Sequence, residues 1–390
     1  MRRSTLQSIG LALLLAWASV VGNSWAAERL LVGPDGAPLS LQQALVAARD
    51  GDTIELLPGE YKGPHLLIEN RRLTLRGVGK RPLIQGGGKA GDRRALWTVR
   101  GGDVTIENIE FRGARASDTD GAGVRQEGGR LTLIGCAFYD NEHGVVSLND
   151  PDAEIEIQRS LFGMAPKVEG GLHHLLSIGR IGKLTVTGSR FQQGFEGHMI
   201  KSRARESLIA YNFIHDGLRG GASYEIDLPA GGLATVVGNV IGQGADSQNR
   251  VMVAYGSEGQ AWDVNKLHLA HNTFINYKSS PAWFLRVWKD RLPVDTEVVA
   301  INNLLVGPGV FWLGAPGRFE GNRPATLGML RDAETYAFEL PPDSTWRKSG
   351  IDPRNVAGRN LAPQAEFDWP VGVRPLSPGR ASWVPGAYQR

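Results

Sequence analysis

Short runs of alternating apolar and polar residues, bounded by Gly and Asn, recur along most of the chain. Each copy has an apolar strand pattern, a polar or small residue at its sixth place and a large apolar residue at its eighth. The copies begin at Val104, Leu131, Ile155, Leu184, Ser207, Ala234, Leu267 and Val298, with a degenerate copy near Leu73. Start-to-start spacings range from 23 residues (Leu184 to Ser207) to 33 residues (Ala234 to Leu267). Such runs predict one short β-strand per repeat.

The sixth position of the last four copies is always asparagine. The series reads Ile109, Cys136, Ser160, Ser189, Asn212, Asn239, Asn272 and Asn303. Stacked amides can hydrogen-bond to the repeats above and below, and Asn tolerates the left-handed turn conformation. The pattern predicts an internal asparagine ladder, which is a feature of the fold and not of catalysis.

A second apolar run follows most copies after a short turn, for example at His198–Ser202 and Tyr224–Leu228. Each repeat therefore carries at least two strands, and a unit of this size cannot bury its apolar faces alone. Stacking the units predicts an all-β solenoid whose coils run from about Leu73 to about Leu313.

Both ends of the solenoid have recognisable sequences. Ser40 is placed to cap a short helix that covers the first coil, and Asp50-Gly-Asp-Thr-Ile leads to Pro58-Gly-Glu-Tyr61. The last residues of the sequence include Pro385-Gly-Ala-Tyr388. These segments resemble the opening coil and the terminal strand of the pectin-lyase-like superfamily. The resemblance implies a single-stranded right-handed parallel β-helix with an N-terminal capping helix.

The first residues have the features of a secretory signal peptide. Arg2 and Arg3 form a basic start, Ile9–Val21 is apolar, and Ser24-Trp-Ala26 is a small-x-small cleavage signal. We therefore expect three regions: a signal peptide at 1–26, the β-helix with its cap at 27–314 and an irregular C-terminal segment at 315–390. The expected product is a monomeric bacterial protein, periplasmic or secreted, without a transmembrane segment.

Charge and cysteine content narrow the function classes. The net charge is +3, and removal of Arg2 and Arg3 with the signal leaves 41 basic and 40 acidic residues. Such a balance gives no electrostatic basis for nucleic-acid binding. Cys136, the single cysteine, excludes an internal disulfide and is expected to be a small buried residue.

Candidate chemistry is concentrated between Glu196 and Tyr255. On a strand, alternate side chains share a face, so inward Ile200 and Ile226 would place their neighbours outward. Because stacked coils are about 4.8 Å apart, an outward cluster of both charge signs is expected. Its members are Lys201, Arg203, Glu225, Asp227 and Arg250. Such clusters are also common as mutually neutralising surface ion pairs.

Part of this region resembles the polysaccharide lyase family that includes alginate lyases and chondroitinase B. The matching motifs are Lys201-Ser202, Asn212-Phe-Ile214 and, loosely, Val237-Gly-Asn239. The resemblance implies β-elimination on an acidic polysaccharide with Lys201 as the base, provided that neighbouring positive charge favours its neutral form. The family's catalytic Arg-His-Gly is replaced here by Ile226-Asp-Leu228.

The missing roles are assigned as hypotheses. Arg203 or Arg250 would supply the cation, and Tyr224 would be the acid. His198 would contact substrate or be a hydrogen-bonded core residue, and Tyr255 would stack on a sugar ring. Ca²⁺ held by Glu225 or Asp227 is an alternative to the cation, although no dense acidic loop marks such a site.

Two other functions fit the same sequence. Glu225 and Asp227, predicted about 6.6 Å apart on one strand face, could form the carboxylate pair of a glycoside hydrolase. The motifs of β-helix pectin hydrolases and alginate epimerases are, however, absent from the sequence. A non-catalytic polysaccharide-binding protein would use exposed aromatic residues and show no turnover.

Overall fold

The computed structural model describes residues 27–63, 65–87, 94–168, 170–311, 317–380 and 382–390. The expected signal peptide lies outside the described residues. The regular structure is dominated by β-strands, accompanied by one α-helix, Leu41–Ala47, among the described residues. Three short 3₁₀ helices span Lys289–Arg291, Leu327–Met329 and Thr345–Lys348. None of the described helices is long and apolar enough to span a membrane.

Most strands belong to three long sheets, named here in the order in which each coil passes through them. Sheet 1 contains Arg29–Val32, Thr53–Leu56, Arg72–Gly77, Asp103–Glu107, Arg130–Ile134, Asp150–Gln158, Ile181–Thr187, Glu206–Ala210, Leu233–Val237, Lys266–Ala270, Glu297–Ile301 and Arg318–Glu320. Sheet 2 contains Glu60–Lys62, Leu83–Gln85, Glu110–Arg112, Ala137–Tyr139, Leu161–Gly163, Arg190–Phe191, Phe213–His215, Val240–Gln243, Thr273–Asn276, Leu304–Val306 and Arg323–Ala325. Sheet 3 contains Leu66–Glu69, Ala95–Arg100, Ala122–Gln126, His143–Ser147, Leu176–Ile178, Ile200–Ser202, Ile226–Leu228, Val251–Tyr255, Ala282–Val287 and Gly309–Val310.

Neighbouring strands within each long sheet are parallel, and each pairs with the strand one coil away. The predicted right-handed parallel β-helix is confirmed. Its sheets begin at Arg29 and continue to Ala325, beyond the expected limits of Leu73 and Leu313. The earliest coils lack the clear repeat pattern on which those limits were based. The division at 314 remains a prediction.

The asparagine ladder is present and extends one step further than the sequence repeat predicts. From Asn239 onwards, the side-chain oxygen of each ladder Asn accepts hydrogen bonds from the backbone and side-chain N–H groups of the Asn one coil earlier. The bonds run through Asn212, Asn239, Asn272, Asn303 and Asn322 at 2.8–3.1 Å. The left-handed conformation falls on the preceding residue, as at Tyr211 (φ 57°) and Asn302 (φ 55°), and not on the ladder residues themselves.

The ladder gives way to small residues towards the N-terminus. Ser189 and Ser160 continue the contact by accepting backbone N–H bonds at 3.1 Å. Cys136 is fully buried at the next step, where burial raises the pKa of its thiol to about 11. Beside this line, Phe111, Phe138, Phe162 and Phe191 stack inside sheet 2 with centroids 4.6–5.2 Å apart.

The α-helix Leu41–Ala47 and the C-terminal segment pack against the solenoid. Ser40 caps the helix in a capping box with Gln43, and Leu41, Ala44 and Leu45 join the core. The C-terminal segment contains an antiparallel pair, Ala365–Phe367 with Val373–Pro375. Its apolar residues pack on the outer faces of sheets 1 and 2. The site described below lies on the outer face of sheet 3.

Candidate functional site

Lys201 and Asp227 lie next to each other on the outer face of sheet 3. Strand register pairs Ser177 with Lys201, Lys201 with Asp227, and Asp227 with Ala254. The flanking residues Ile200 and Ile226 are buried in the core. The alternation of the strand therefore directs Lys201 and Asp227 outward, as the sequence predicts.

Four charged groups form a network around Lys201. Its Nζ is 3.6 Å from Asp227 Oδ2 and 3.6 Å from Glu258 Oε1. Arg203 donates from Nε and Nη2 to the two Glu258 oxygens, each at 2.6 Å. Glu258 comes from the turn after Val251–Tyr255, and its backbone N–H donates to Pro229 O at 2.8 Å. Two cations and two carboxyl groups therefore meet in one place.

Asp227 lies beneath the surface of this network. Its side chain is 3% exposed, against 15% for Lys201 and 39% for Glu258. Burial raises its pKa to about 6 and outweighs the opposing effect of Lys201. Its Oδ1 is buried without a hydrogen-bond partner among the described residues. Asp227 is therefore placed to hold Lys201 and to exchange a proton near neutral pH.

A stack of rings runs along the edge of the same face. His174 and His198 lie 4.8 Å apart, and His198 and Tyr224 lie 4.6 Å apart with an interplanar angle of 4°. His174 Nδ1 accepts from His198 N at 2.8 Å, and His198 Nδ1 accepts from Tyr224 N at 3.2 Å. Each ring is therefore fixed by the backbone of the next coil.

These contacts determine the proton position on His198. Burial, with the positive charges of Lys201 and Arg203, lowers its pKa to about 3, so the ring is neutral at ordinary pH. Because Nδ1 accepts a bond, the proton is on Nε2. Nε2 lies 3.4 Å from Asp227 Oδ2. His198 thus belongs to the outer cluster and not to the core.

Glu225 does not join this cluster, contrary to the sequence prediction. It is completely buried and occupies the position that Met199 and Met252 hold in the adjacent coils. Both Glu225 and Ile226 face inward because the chain turns a corner just before the strand begins at Ile226. Alternation therefore fails at Glu225, and it shares no strand face with Asp227.

The other two predicted ligand-contacting residues also differ from expectation. Tyr255 is fully buried in the core, and its hydroxyl donates to Gly232 O at 2.6 Å, so it cannot stack on a sugar. It lies at the inward register of Leu228 and Val287. Arg250 is exposed and immediately precedes Val251–Tyr255. It is absent from the described ion pairs of the Lys201 network.

The residues present do not fit the expected Ca²⁺ site. Calcium takes several oxygen ligands, but Glu225 faces the core and Asp227 faces outward. Within the described ranges, no group of three or more His, Cys, Asp or Glu side chains is placed to hold a metal ion. The Glu225–Asp227 pair predicted for the hydrolase alternative is missing for the same geometric reason.

Two members of the cluster were not predicted from the sequence. Glu258 lies in a loop 55 residues from Arg203, and no periodic signal marks a loop residue. His174 lies one coil before His198, and this place in the repeat alignment provides a signal.

One cavity of the described structure lies away from this cluster. It has a volume of about 670 Å³ and lies in the loops that lead from sheet 2 to sheet 3, where Lys167, Phe195 and Arg219 line it. The Lys201 network instead occupies an open sheet face, which suits an extended polymer better than a small enclosed ligand.

Comparison with known proteins identifies the fold. The chain is similar to the crystal structure of the pectate lyase Pel9A, with a TM-score of 0.60 and 13% sequence identity over 94% of this chain and 97% of that chain. It also matches ORF18 of Geobacillus virus E2, with a TM-score of 0.35 and 11% identity over 78% of this chain and 63% of that chain. No protein-family model matches the sequence, and no curated protein does. At this identity the first likeness establishes a β-helix fold and no more.

Proposed function

We propose that the chain is an exported carbohydrate-active enzyme that cleaves a uronate-containing polysaccharide by β-elimination, with Lys201 as the base. One observation carries the proposal. The Glu258 carboxylate binds Arg203 through both oxygens and also approaches Lys201. The cluster therefore already recognises a carboxylate group, with an amine next to it.

The proposed chemistry needs three roles. Lys201 in its neutral amine form takes the proton α to the uronate carboxylate, and the electron pair of that C–H bond forms a new C=C bond as the C–O bond to the leaving sugar breaks. Arg203 offsets the negative charge that develops on the carboxylate in the transition state. Tyr224 gives its phenolic proton to the leaving oxygen. Burial raises the pKa of Tyr224, so this proton is present at neutral pH.

Binding of substrate requires Glu258 to give way. Its side chain is 39% exposed, and it lies in a turn and not in a sheet strand. A uronate carboxylate can replace it on Arg203 with the same bidentate geometry. The pectate lyase named above acts on a polymer of this chemical class, which supports the assignment.

The test is an absorbance assay for unsaturated uronate. The mature protein is incubated with pectate, alginate, glycosaminoglycans and bacterial exopolysaccharides, beside Lys201→Ala and a matched control, Lys183→Ala. Lys183 is an exposed lysine on sheet 1. Product formation that Lys201→Ala abolishes and Lys183→Ala preserves is expected. Equal rates in the two variants would exclude Lys201 as the base.

A non-catalytic polysaccharide-binding protein is the second candidate. It is favoured by the mutual neutralisation of Lys201, Arg203, Asp227 and Glu258, which is typical of surface ion-pair clusters. Calorimetry together with the absorbance assay distinguishes the two functions. A binding protein would bind a polymer in calorimetry but would never release an unsaturated product from it.

A further inference from the structure

Arg286 lies in the same outward column as Lys201, further along the solenoid. Register pairs Asp227 with Ala254 and Ala254 with Arg286. Lys201 and Arg286 are therefore three coils apart, which corresponds to about 14 Å at the usual strand separation. A polymer lying along sheet 3 can reach both residues at once.

Two indole rings flank the Arg286 guanidinium. Its central carbon is 4.9 Å from the ring centroid of Trp283 and 4.4 Å from that of Trp288. Trp288 follows the strand Ala282–Val287, and its backbone N–H donates to Tyr255 O at 3.0 Å. Stacking on the ring faces fixes the plane of the guanidinium and leaves its N–H edges available.

Among the described residues Arg286 has no acidic partner, in contrast to Arg203 and Arg125 on the same face. Arg203 binds Glu258, and Arg125 binds Glu127 and Asp120. Within the part of the chain that the structure describes, Arg286 enters no ion pair, and its side chain is partly exposed. A preoriented guanidinium without a carboxylate partner is a binding site for an external carboxylate.

We propose that Trp283, Arg286 and Trp288 form a second uronate subsite, in which Arg286 binds the carboxylate and the indole rings pack on the sugar faces. The inference rests on the proposed function for its substrate class. Short oligomers bound at Lys201 do not reach this subsite, whereas longer ones do. The subsite therefore selects for chain length and negative charge.

The test measures binding of hexagalacturonate and hexamannuronate by calorimetry, in a Lys201→Ala background that prevents turnover. Arg286→Ala and Arg286→Gln are compared with the control Lys289→Ala, which removes an exposed cation of the adjacent 3₁₀ helix. We expect both Arg286 variants to weaken binding of at least one hexamer about ten-fold or more, and Lys289→Ala to leave it unchanged. A fully methyl-esterified hexagalacturonate, which lacks free carboxylates, should bind with the same affinity whether Arg286 is present or replaced.

Three results would overturn the subsite: no binding of either hexamer, equal affinity of Arg286→Ala and its parent, or an equal loss in Lys289→Ala. Circular dichroism of each variant shows whether a loss comes from unfolding. If binding depends on Arg286 but the protein with Lys201 intact releases no unsaturated product, only the proposed reaction is refuted. Product formation that is indifferent to Arg286 would refute only the subsite.

Discussion

Burial controls the chemistry of the two carboxyl groups on the strand around Ile226, although they face opposite sides of sheet 3. Glu225 is inside the core, where burial raises its pKa well above its ordinary value. Neither of its oxygens is hydrogen-bonded to another described residue. Asp227 is on the outer side, and its pKa is raised to about 6. We expect the first group to cost stability, whereas the second belongs to the proposed site.

Replacement of Glu225 by Met should stabilise the protein, because Met already occupies this position in both adjacent coils. An unpaired buried polar group costs about 1–3 kcal/mol, and we expect a gain of that order at neutral pH. Because the pKa of Glu225 is raised in the folded state, the wild-type protein is least destabilised by Glu225 below the pKa of an unfolded Glu, about 4.3. This destabilisation grows as pH rises above that value. Thermal denaturation should therefore show a smaller gain at pH about 4 than at pH about 8. A destabilised Glu225→Met would show that Glu225 has a partner.

The protonation of Asp227 should appear in the activity profile. Below about pH 6 Asp227 takes up a proton, and its carboxylate no longer holds the Lys201 amine in position, so kcat/KM should fall on the acidic side. Asp227→Asn should be less active, and its kcat/KM should not show this decrease on the acidic side of the pH profile. The check is kcat/KM against pH for both proteins on the polymer found in the absorbance screen. An unchanged acidic limb in Asp227→Asn would assign it to another group.

Glu258 competes with the substrate carboxylate for Arg203 in the proposed mechanism. Glu258→Gln keeps the size of the side chain but weakens the bidentate bond, so KM for a uronate polymer should fall several-fold with kcat little changed. Steady-state kinetics measure this, with Glu206→Gln, an exposed acid on sheet 1, as the control. A higher KM in Glu258→Gln alone would mean that Glu258 positions Arg203 for binding.

At the level of elements, the asparagine ladder joins the later coils. Asn239 accepts from Asn212 N and Nδ2 and donates from Nδ2 to Asn272 Oδ1 and Ile209 O. Its amide uses donor and acceptor groups together, which no other side chain of this size provides. Ladder substitutions should therefore affect stability in a definite order.

We expect Asn239→Ser to cost least, because Ser occupies the equivalent place at Ser160 and Ser189 and preserves an acceptor. Asn239→Ala should cost about 2–4 kcal/mol by leaving buried groups unpaired, and Asn239→Asp should cost most because it also buries a charge. Urea denaturation of the three variants gives the order. Equal costs would show that the ladder bonds are not energetically important.

The sequence predicted elements far better than it predicted side-chain directions at their ends. The ladder position repeats as Asn in the later coils, and the large apolar position repeats in every copy, so Asn239 and Phe191 could be assigned by alignment alone. Alternation placed Lys201 and Asp227 correctly because both lie within a strand. It failed at Glu225, where two successive residues face inward at a corner. It could not reveal Glu258, whose position depends on a loop conformation.

For the whole molecule, the packing of the C-terminal segment on sheets 1 and 2 distinguishes them from sheet 3, where the proposed chemistry lies. This segment covers apolar residues on the outer faces of sheets 1 and 2. The outer face of sheet 3 carries the ring stack, the Lys201 network and the proposed Arg286 subsite in neighbouring coils. A long polymer bound along this face would contact them together.

The most direct test of the account is the mass of the products released from a defined uronate oligomer. β-Elimination divides the substrate without adding water, so the masses of the two products should sum to that of the substrate, and one product should carry the new double bond. Products whose summed mass exceeds the substrate by one water would contradict elimination at Lys201 and establish hydrolysis.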